Sequence, residues 1–491
     1  MRVCIVHYHL QTGGVTRVIE HAATALRSRA VRVAVLSGEA PQAPLPDGVE
    51  TVVLPGLAYE ERRAPQSPEQ LAAAMAQAAR SALGGVPDVW HVHNHSLGKN
   101  TALPGALLRL ARNGQRLLLQ PHDFAEDGRP RLYGRLRRRL ADGDVGRLSA
   151  LLYPLAPQIH YAAINRRDRE CLRAAGVPAA QLHALANAVA LDTAPDSGSQ
   201  DTAAAQQRRG DDRRLWLYPT RAIRRKNLGE LLLWAALAGA ADRFAITQAP
   251  QNPQEQPGYR RWVALAAELG LPVTFEAGAG GLSFPALMAA SHALVTTSIA
   301  EGFGLAFLEP WLLGRPLTGR DLPEITADFK ATGIRLPGLY QQVAVPLDWL
   351  DLPRLRAAFA SAAAGRAQAF GRPLADSAER AWEDAVADGR MDFGRLDEPA
   401  QAQVIRRLHG SPSARSELGR PPLAAPADAG LIAANHAVIA SHYSVQRYGE
   451  RLAAIYDALV AAQPSARIAA ADGAALLARF LAPERLWLLR G

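Results

Sequence analysis

The sequence predicts an α/β protein made of two Rossmann-like domains, each a doubly wound parallel sheet. Three observations lead there. Apolar runs of strand length alternate with helical stretches through the first 190 residues; a polar, small-residue stretch then interrupts; and the same alternation begins again. Strand–helix–strand repetition of this kind gives parallel strands with helices covering both faces.

The first set of strand-like runs covers 3–8, 31–37, 51–54, 88–93, 116–120, 160–164 and 183–186. Between the first two, Val15, Val18, Ile19, Ala22 and Leu26 recur at helical spacing on one face. Residues 191–214, "DTAPDSGSQDTAAAQQRRGDDRR" from Asp192 onward, read as a linker. The second set runs over 215–219, 244–248, 273–276, 293–297 and 316–318, with helices expected over 228–237 and 259–269. Past Leu336 the pattern weakens, and 396–430, rich in Pro, Ala and Arg, reads as a loose excursion. Regularity returns at 441–459, where Val445, Tyr448, Leu452, Ile455 and Tyr456 share a helical stripe. The expected domains are therefore 1–190, the linker 191–214, a second domain 215–435, and C-terminal helices 436–491 returning to the first. Open sheets bind ligands at the carboxyl ends of their strands, which places the expected site in a cleft between the two domains.

Composition narrows the class. A chain of 491 residues with 48% apolar content fills two or three domain cores. Two cysteines, Cys4 and Cys171, are too few for a disulfide framework, so a reducing cytoplasm fits. The start, Met1 to Val6, reads as a first strand rather than a signal peptide, and no apolar run is long enough to span a bilayer. The net charge of +9 comes from arginine spread over the whole chain, with lysine only at 99, 226 and 330, and it does not indicate nucleic acid. The one dense basic run, Arg135 to Arg139, reads as a solvated helix face, with contact to phosphate or lipid headgroups as the alternative, so membrane association is at most peripheral.

Several segments at expected strand ends carry chemistry. Gly13 and Gly14 open the first helix and would let a ligand approach backbone amides, although a plain tight turn explains them equally; the sequence is not the G-x-G-x-x-G dinucleotide fingerprint. His91, His93 and His95 alternate and are expected to line the cleft as neutral imidazoles, with no second cluster to complete a metal site. His122 follows another strand and can orient a hydroxyl-rich ligand. Thr220 to Asn227 brings Arg221 and Lys226 to a strand end, a pairing suited to a diphosphate. Glu301 and Glu309 flank the turn Gly302-Phe303-Gly304 and a helix expected to begin near Leu305. A phosphate at that helix start would leave a carboxylate on each side for sugar hydroxyls; paired acids for hydrolysis would need to flank one scissile bond.

In order, Gly13-Gly14, "DVWHVH" at 88–93, His122, Asn187, Arg221 with Lys226, Glu301 to Glu309 as E-x7-E, and Pro323-Glu324-Ile325 after "RPLTGRDL" resemble the retaining glycosyltransferases of family four, which have the GT-B fold. The helix from Ser441 is similar to that family's terminal crossing helix. The resemblance implies that Arg221 and Lys226 hold the diphosphate, Glu309 the ribose and Glu301 the transferred hexose. It also places the amides of Gly302, Phe303, Gly304 and Leu305 alongside, His122 on the hexose, and Gly13 and Gly14 near phosphates or acceptor. It implies hexose transfer from a nucleotide sugar such as UDP-glucose or GDP-mannose to a hydroxyl acceptor, with retention, no metal and no further cofactor. The acceptor stays open among small polyol, sugar acid, glycan and lipid-linked sugar, and the base among uridine, guanosine and adenosine. Asn187-Ala188-Val189 departs from the family's Asn-Gly-Val, and 337–430 and 461–491 have no counterpart. A nucleotide-sugar hydrolase or epimerase, or a noncatalytic nucleotide-sugar-binding protein, remains as an alternative.

Overall fold

A computed structural model describes residues 1–62, 64, 66–190, 213–279, 284–372, 377–418, 423–426 and 428–490. The expected linker, through residue 212, lies outside the described residues. The chain divides into two units, Met1–Val189 with His442–Leu481, and Ala190–Ser441 with Ala482–Gly491.

In the first unit the strands are β1 (Arg2–His7), β2 (Arg32–Ser37), β3 (Glu50–Val53), β4 (Val89–His93), β5 (Leu117–Gln120), β6 (Pro154–Leu155), β7 (Ile159–Ala163) and β8 (Leu182–Ala184). All but β6 form one parallel sheet in the order β3-β2-β1-β4-β5-β7-β8, while β6 pairs with Ala469–Ala470. Val3 to Val6 are wholly buried because helices cover both faces, which is why β1 reads as a continuous apolar run. Ile5 lies beside Val35 on one neighbour and His91 on the other. The helix Gly14–Arg27 buries Val18, Ile19, Ala22 and Leu26 in one core with Tyr448, Leu452, Ile455, Tyr456 and Leu459.

That C-terminal helix spans Val445–Ala461, with the Ser444 side chain accepting from the Arg447 amide. It is shorter at its start than the stretch 441–459 suggests. The preceding residues to Tyr443 belong to a separate helix, Ala429–Tyr443, and Ser444 stands between the two in extended backbone. Gly449 permits the close crossing, since a Cβ there would sit 2.6 Å from that of Ala25.

In the second unit β9 (Arg214–Arg221), β10 (Asp242–Gln248), β11 (Val273–Thr274), β12 (Ala293–Thr296), β13 (Leu317–Arg320) and β14 (Leu339–Tyr340) form a parallel sheet in the order β11-β10-β9-β12-β13-β14. Both sheets thus start in the middle, grow to one side and then switch to the other, the arrangement of a dinucleotide-binding fold. A small antiparallel sheet joins β15 (Ala344–Pro346), β16 (Val386–Ala387) and β17 (Arg390–Asp392).

The stretch read as a loose excursion is in part well packed. Helix Glu398–Gly410 buries Val404, Ile405 and Leu408 in the same core as Leu231, Leu232 and Trp262. Its start is fixed by Asp397, whose side chain accepts from the Ala400 amide. Residues 482–490, expected to return to the first domain, group with the second unit. Leu486 and Leu488 enter its core, and Arg395 both donates to the Leu486 carbonyl and lies 4.3 Å from the Trp487 ring. Both cysteines are free and buried. Among the described residues no helix is long and apolar enough to cross a membrane. The basic run at 135–139 lies on the helix Pro130–Ala141, where Leu136 is buried and Arg139 and Arg135 are paired with Glu60 and Glu61.

Candidate functional site

In the second unit the strand order reverses between β9 and β12, and the segments leaving those two strands meet at the carboxyl edge of the sheet. After β9 the chain makes a single 3-10 turn, Arg224–Lys226, and ends it at Asn227 with φ of +50°. Asn tolerates this left-handed conformation, and here its side chain is doubly held. Its Nδ2 donates to Glu230 Oε2 at 2.7 Å, and its Oδ1 accepts from Gln401 at 2.9 Å. Tyr218 Oη and Thr297 Oγ1 both donate to the Lys226 carbonyl, at 3.1 and 3.0 Å. The Ile299 amide donates to the Arg225 carbonyl at 3.0 Å. The two segments are therefore stitched through backbone as well as side chains.

This stitching delivers Lys226 and Glu301 to each other. Lys226 Nζ donates to Glu301 Oε1, Ser298 Oγ donates to the same oxygen at 2.6 Å, and Arg225 Nη1 donates to Glu301 Oε2 at 3.0 Å and to the Ala300 carbonyl at 2.5 Å. Burial alone would raise the Glu301 carboxyl, but the Lys226 and Arg225 cations outweigh it and hold it at about 2. Burial pulls Lys226 below its ordinary value, opposed by Glu301. The cluster is an ion pair with a second cation on the same carboxylate.

Of the residues singled out in the sequence, Lys226 and Glu301 are thus brought together. Arg221 ends β9 at the same sheet edge with an exposed side chain, and among the described residues its guanidinium has no hydrogen-bond partner. Gly304 has φ of +92°, and a Cβ there would meet Ile325 Cγ2 at 2.7 Å, so glycine is required by both backbone and packing. The Phe303 ring stands edge-on to Phe329, centroids 5.5 Å apart, so Phe303 is a packing residue with its amide beside the turn.

The buried helix expected from Leu305 is instead a 3-10 turn, Leu305–Phe307, followed by the four-residue helix Glu309–Leu312. Pro310 explains the break: it has no amide hydrogen and its ring crowds the carbonyl four residues before, so it is accommodated only in a first turn. Glu309, half-buried, opens that short helix. Gly302 and Leu305 are also only partly covered.

In the first unit the corresponding edge holds the histidines. His93 Nδ1 and His122 Nε2 are 2.8 Å apart, and the His122 and Asp123 amides donate to Asn94 Oδ1 at 2.7 and 3.1 Å. His91 is saturated by Tyr456 Oη and Gln120, and His95 Nε2 meets the Leu152 carbonyl at 2.8 Å. His91, His93 and His95 are 0 to 1% exposed, so they belong to the core and do not line an open cleft. The alternation also ends at Asn94, whose φ of +57° takes His95 off the strand. Burial lowers His7 and His91 to about 3 and His95 and His122 to about 4, which leaves neutral rings at physiological pH.

Gly13, extended, caps the helix Gly14–Arg27; both glycines are exposed, and a Cβ at Gly14 would meet nothing within 4 Å. Packing therefore does not require them. Among the described residues no group of three or more His, Cys, Asp or Glu side chains is placed to hold a metal ion.

The Glycosyltransferase Family 4 model matches residues 12–193. The chain is glycosyltransferase family 4-like. This family 4-like chain is 26% identical over 359 residues to mannosylglucosyl-3-phosphoglycerate synthase of Petrotoga mobilis, a match over 66% of each protein, so it spans just under two thirds of that relative's length. Its fold is similar to that of Anabaena Alr3699/HepE, solved in complex with UDP and glucose, with 14% identity, TM-score 0.55, and coverage of 93% of this chain and 99% of that one. Sucrose-phosphate synthase of Thermosynechococcus elongatus gives 15% identity, TM-score 0.55, and coverage of 94% and 99%. These likenesses and the two parallel sheets give the family 4-like chain the GT-B fold class.

Sequence reasoning missed Arg225, inside a segment it had singled out, and Ser298, just before Glu301. It also missed the buried group behind Asn227. Arg320, 1% exposed, donates to Glu230 through Nε at 3.0 Å and to Asp392 through Nη1 at 2.7 Å, while Tyr340 Oη donates to Glu230 at 2.7 Å. A lone arginine in the apolar run Leu317–Arg320 was the available signal, because a buried guanidinium requires acids.

Proposed function

We propose that the chain transfers a hexose from a nucleoside diphosphate sugar to a hydroxyl acceptor, with retained anomeric configuration and without a metal ion. The observation that carries this is the Lys226–Arg225–Glu301 cluster at the switch point of the second sheet, with Arg221 exposed on the same edge. As the sugar departs, its anomeric carbon becomes cation-like and negative charge gathers on the diphosphate. Fixed cations lower that barrier most. Lys226 and Arg225 take up the phosphate charge, and Glu301, relieved of part of its pairing, accepts hydrogen bonds from hexose hydroxyls. Arg221 supplies a fork for phosphate oxygens.

In the step itself the bond from C1 to the diphosphate oxygen breaks while the acceptor oxygen bonds C1 from the same face. The acceptor proton passes to the departing phosphate oxygen. Glu309 accepts from the ribose hydroxyls.

Two donors are supported. Anabaena Alr3699/HepE is also known in complex with UDP-glucose, and the Petrotoga relative's product carries a mannosyl group, for which GDP-mannose is the matching donor. The test incubates UDP-glucose and GDP-mannose with a panel of hydroxyl acceptors in the presence of EDTA and reads the product by NMR. The reading expects a glycoside with the donor's anomeric configuration. Inverted product, or free hexose released equally fast without any acceptor, overturns it.

A further inference from the structure

At the carboxyl edge of the first sheet, the segments after β2, β3 and β5 bring four arginines and four carboxylates together. Arg62 pairs with Glu39, Arg139 with Glu60, Arg135 with Glu61 and Arg129 with Asp123. Lys99, after β4, stands outside these four pairs. Lys99 is half-buried, its ammonium lies 4.7 Å from the centre of the Tyr59 ring, and among the described residues it has no hydrogen-bond or ion-pair partner.

The frame around it is fixed. Asn100 donates to the carbonyls of Gly56 and Ala58 at 2.8 and 3.0 Å, and the Glu60 amide donates to the Lys99 carbonyl at 2.7 Å. Tyr59 Oη in turn meets His9 Nε2 at 2.9 Å. A lysine on a rigid frame, resting on an aromatic ring beside a hydroxyl and an imidazole, is arranged to receive an anion, and parallel sheets of this order bind ligands at this edge. Burial, with Arg135 and Arg129 nearby, lowers the Lys99 ammonium from its ordinary value against the pull of Glu61. An incoming carboxylate or phosphate reverses that loss.

We propose that Lys99, with Tyr59 and His9, is the subsite for an anionic group, a carboxylate or a phosphate, on a small hydroxyl acceptor. The proposal rests on the transferase reading above and narrows its acceptor class to small hydroxy acids and their phosphate esters, setting aside neutral polyols and neutral glycans.

The test is calorimetric titration of the full chain with D-glycerate, 3-phosphoglycerate, inorganic phosphate and glycerol, for the wild type, Lys99→Met and Lys99→Arg. Methionine keeps an apolar stem over Tyr59, and an unchanged melting midpoint checks the fold. The expected result is binding of D-glycerate or 3-phosphoglycerate but not glycerol, at least about tenfold weaker in Lys99→Met as befits loss of a charge-assisted hydrogen bond, and partly restored in Lys99→Arg. D-glycerate binding alone assigns a carboxylate site; binding of 3-phosphoglycerate and inorganic phosphate without D-glycerate assigns a phosphate site. Equal binding to wild type and Lys99→Met, binding of glycerol as tight as D-glycerate, or no binding of any anion overturns the proposal. UDP and GDP are titrated in parallel. Their failure to bind the wild type strikes the transferase reading, whereas intact nucleotide binding with no anion dependence on Lys99 strikes only this subsite.

Discussion

Replacing Lys226 by methionine removes the main counter-charge of Glu301, and the cost follows from the geometry. The Glu301 and Lys226 side chains are 10% and 13% exposed, so neither is rescued by bulk water. Glu301 is held at about 2 against an ordinary 4.5. That lowering corresponds to about 3.5 kcal/mol. Arg225, 41% exposed, is screened by solvent and replaces little of it.

Lys226→Met should therefore destabilise the second unit by about 2–3 kcal/mol at pH 7. Glu301→Gln should cost less, because Lys226 can shed its proton. The double variant should recover part of the loss, with a coupling energy of about 1.5–3 kcal/mol. Because the folded carboxyl titrates below the unfolded one, the stabilisation is complete above about pH 4.5 and is lost as pH falls towards about 2; the gap between wild type and Lys226→Met must narrow in acid. Urea unfolding of the four proteins at pH 7 and pH 4 measures this. Single variants that each cost under about 0.5 kcal/mol, or costs that simply add, would refute the ion-pair argument.

Other outcomes follow from the same structure. His7, His91, His95 and His122 titrate near 3 to 4 when folded, so the unfolded chain binds more protons below about 6.5 and the first unit should lose stability steadily as pH falls from 6.5 to 4, read as falling melting midpoints. Glu126 has the opposite sign: burial raises it to about 7, so Glu126→Gln should raise the midpoint at pH 8 more than at pH 5. Gly304→Ala meets Ile325 at 2.7 Å with φ of +92°, and should cost about 2–3 kcal/mol in denaturant unfolding. Asn227→Gly keeps the left-handed turn that Asn227→Ala strains, so the alanine variant should be the less stable by about 1 kcal/mol while both loosen the Lys226 carbonyl clamp and weaken nucleotide binding.

The fold was legible wherever burial on both faces made a strand a continuous apolar run. β1, β2, β9 and β12 fall within a residue or two of their expected spans, and the helix Leu228–Leu237 coincides with its expected span. What the sequence concealed was set by tertiary contact. The helix Glu398–Gly410 packs on a helix about 170 residues earlier, so its arginines and alanines look like linker until their partner is known. Pro310 shortens the helix after Gly304 although the apolar pattern runs through it. The histidines at 91, 93 and 95 follow the alternation of a half-exposed strand, yet β4 is the central strand of a covered sheet. At the site, Lys226 and Glu301 were visible because a strand end confines where a charge can point. Arg225 and Ser298 were not, because a 3-10 turn and a loop fix side-chain direction only in three dimensions.

The central claim is that a diphosphate is held by the cations at the carboxyl edge of the second sheet. Calorimetric titration of UDP and GDP into wild type and Lys226→Ala tests it most directly. The account predicts that one of the two binds the wild type and binds Lys226→Ala about 30- to 100-fold more weakly, the equivalent of a lost charge-assisted contact. Undiminished affinity in Lys226→Ala, or no nucleoside diphosphate bound by the wild type, would contradict it.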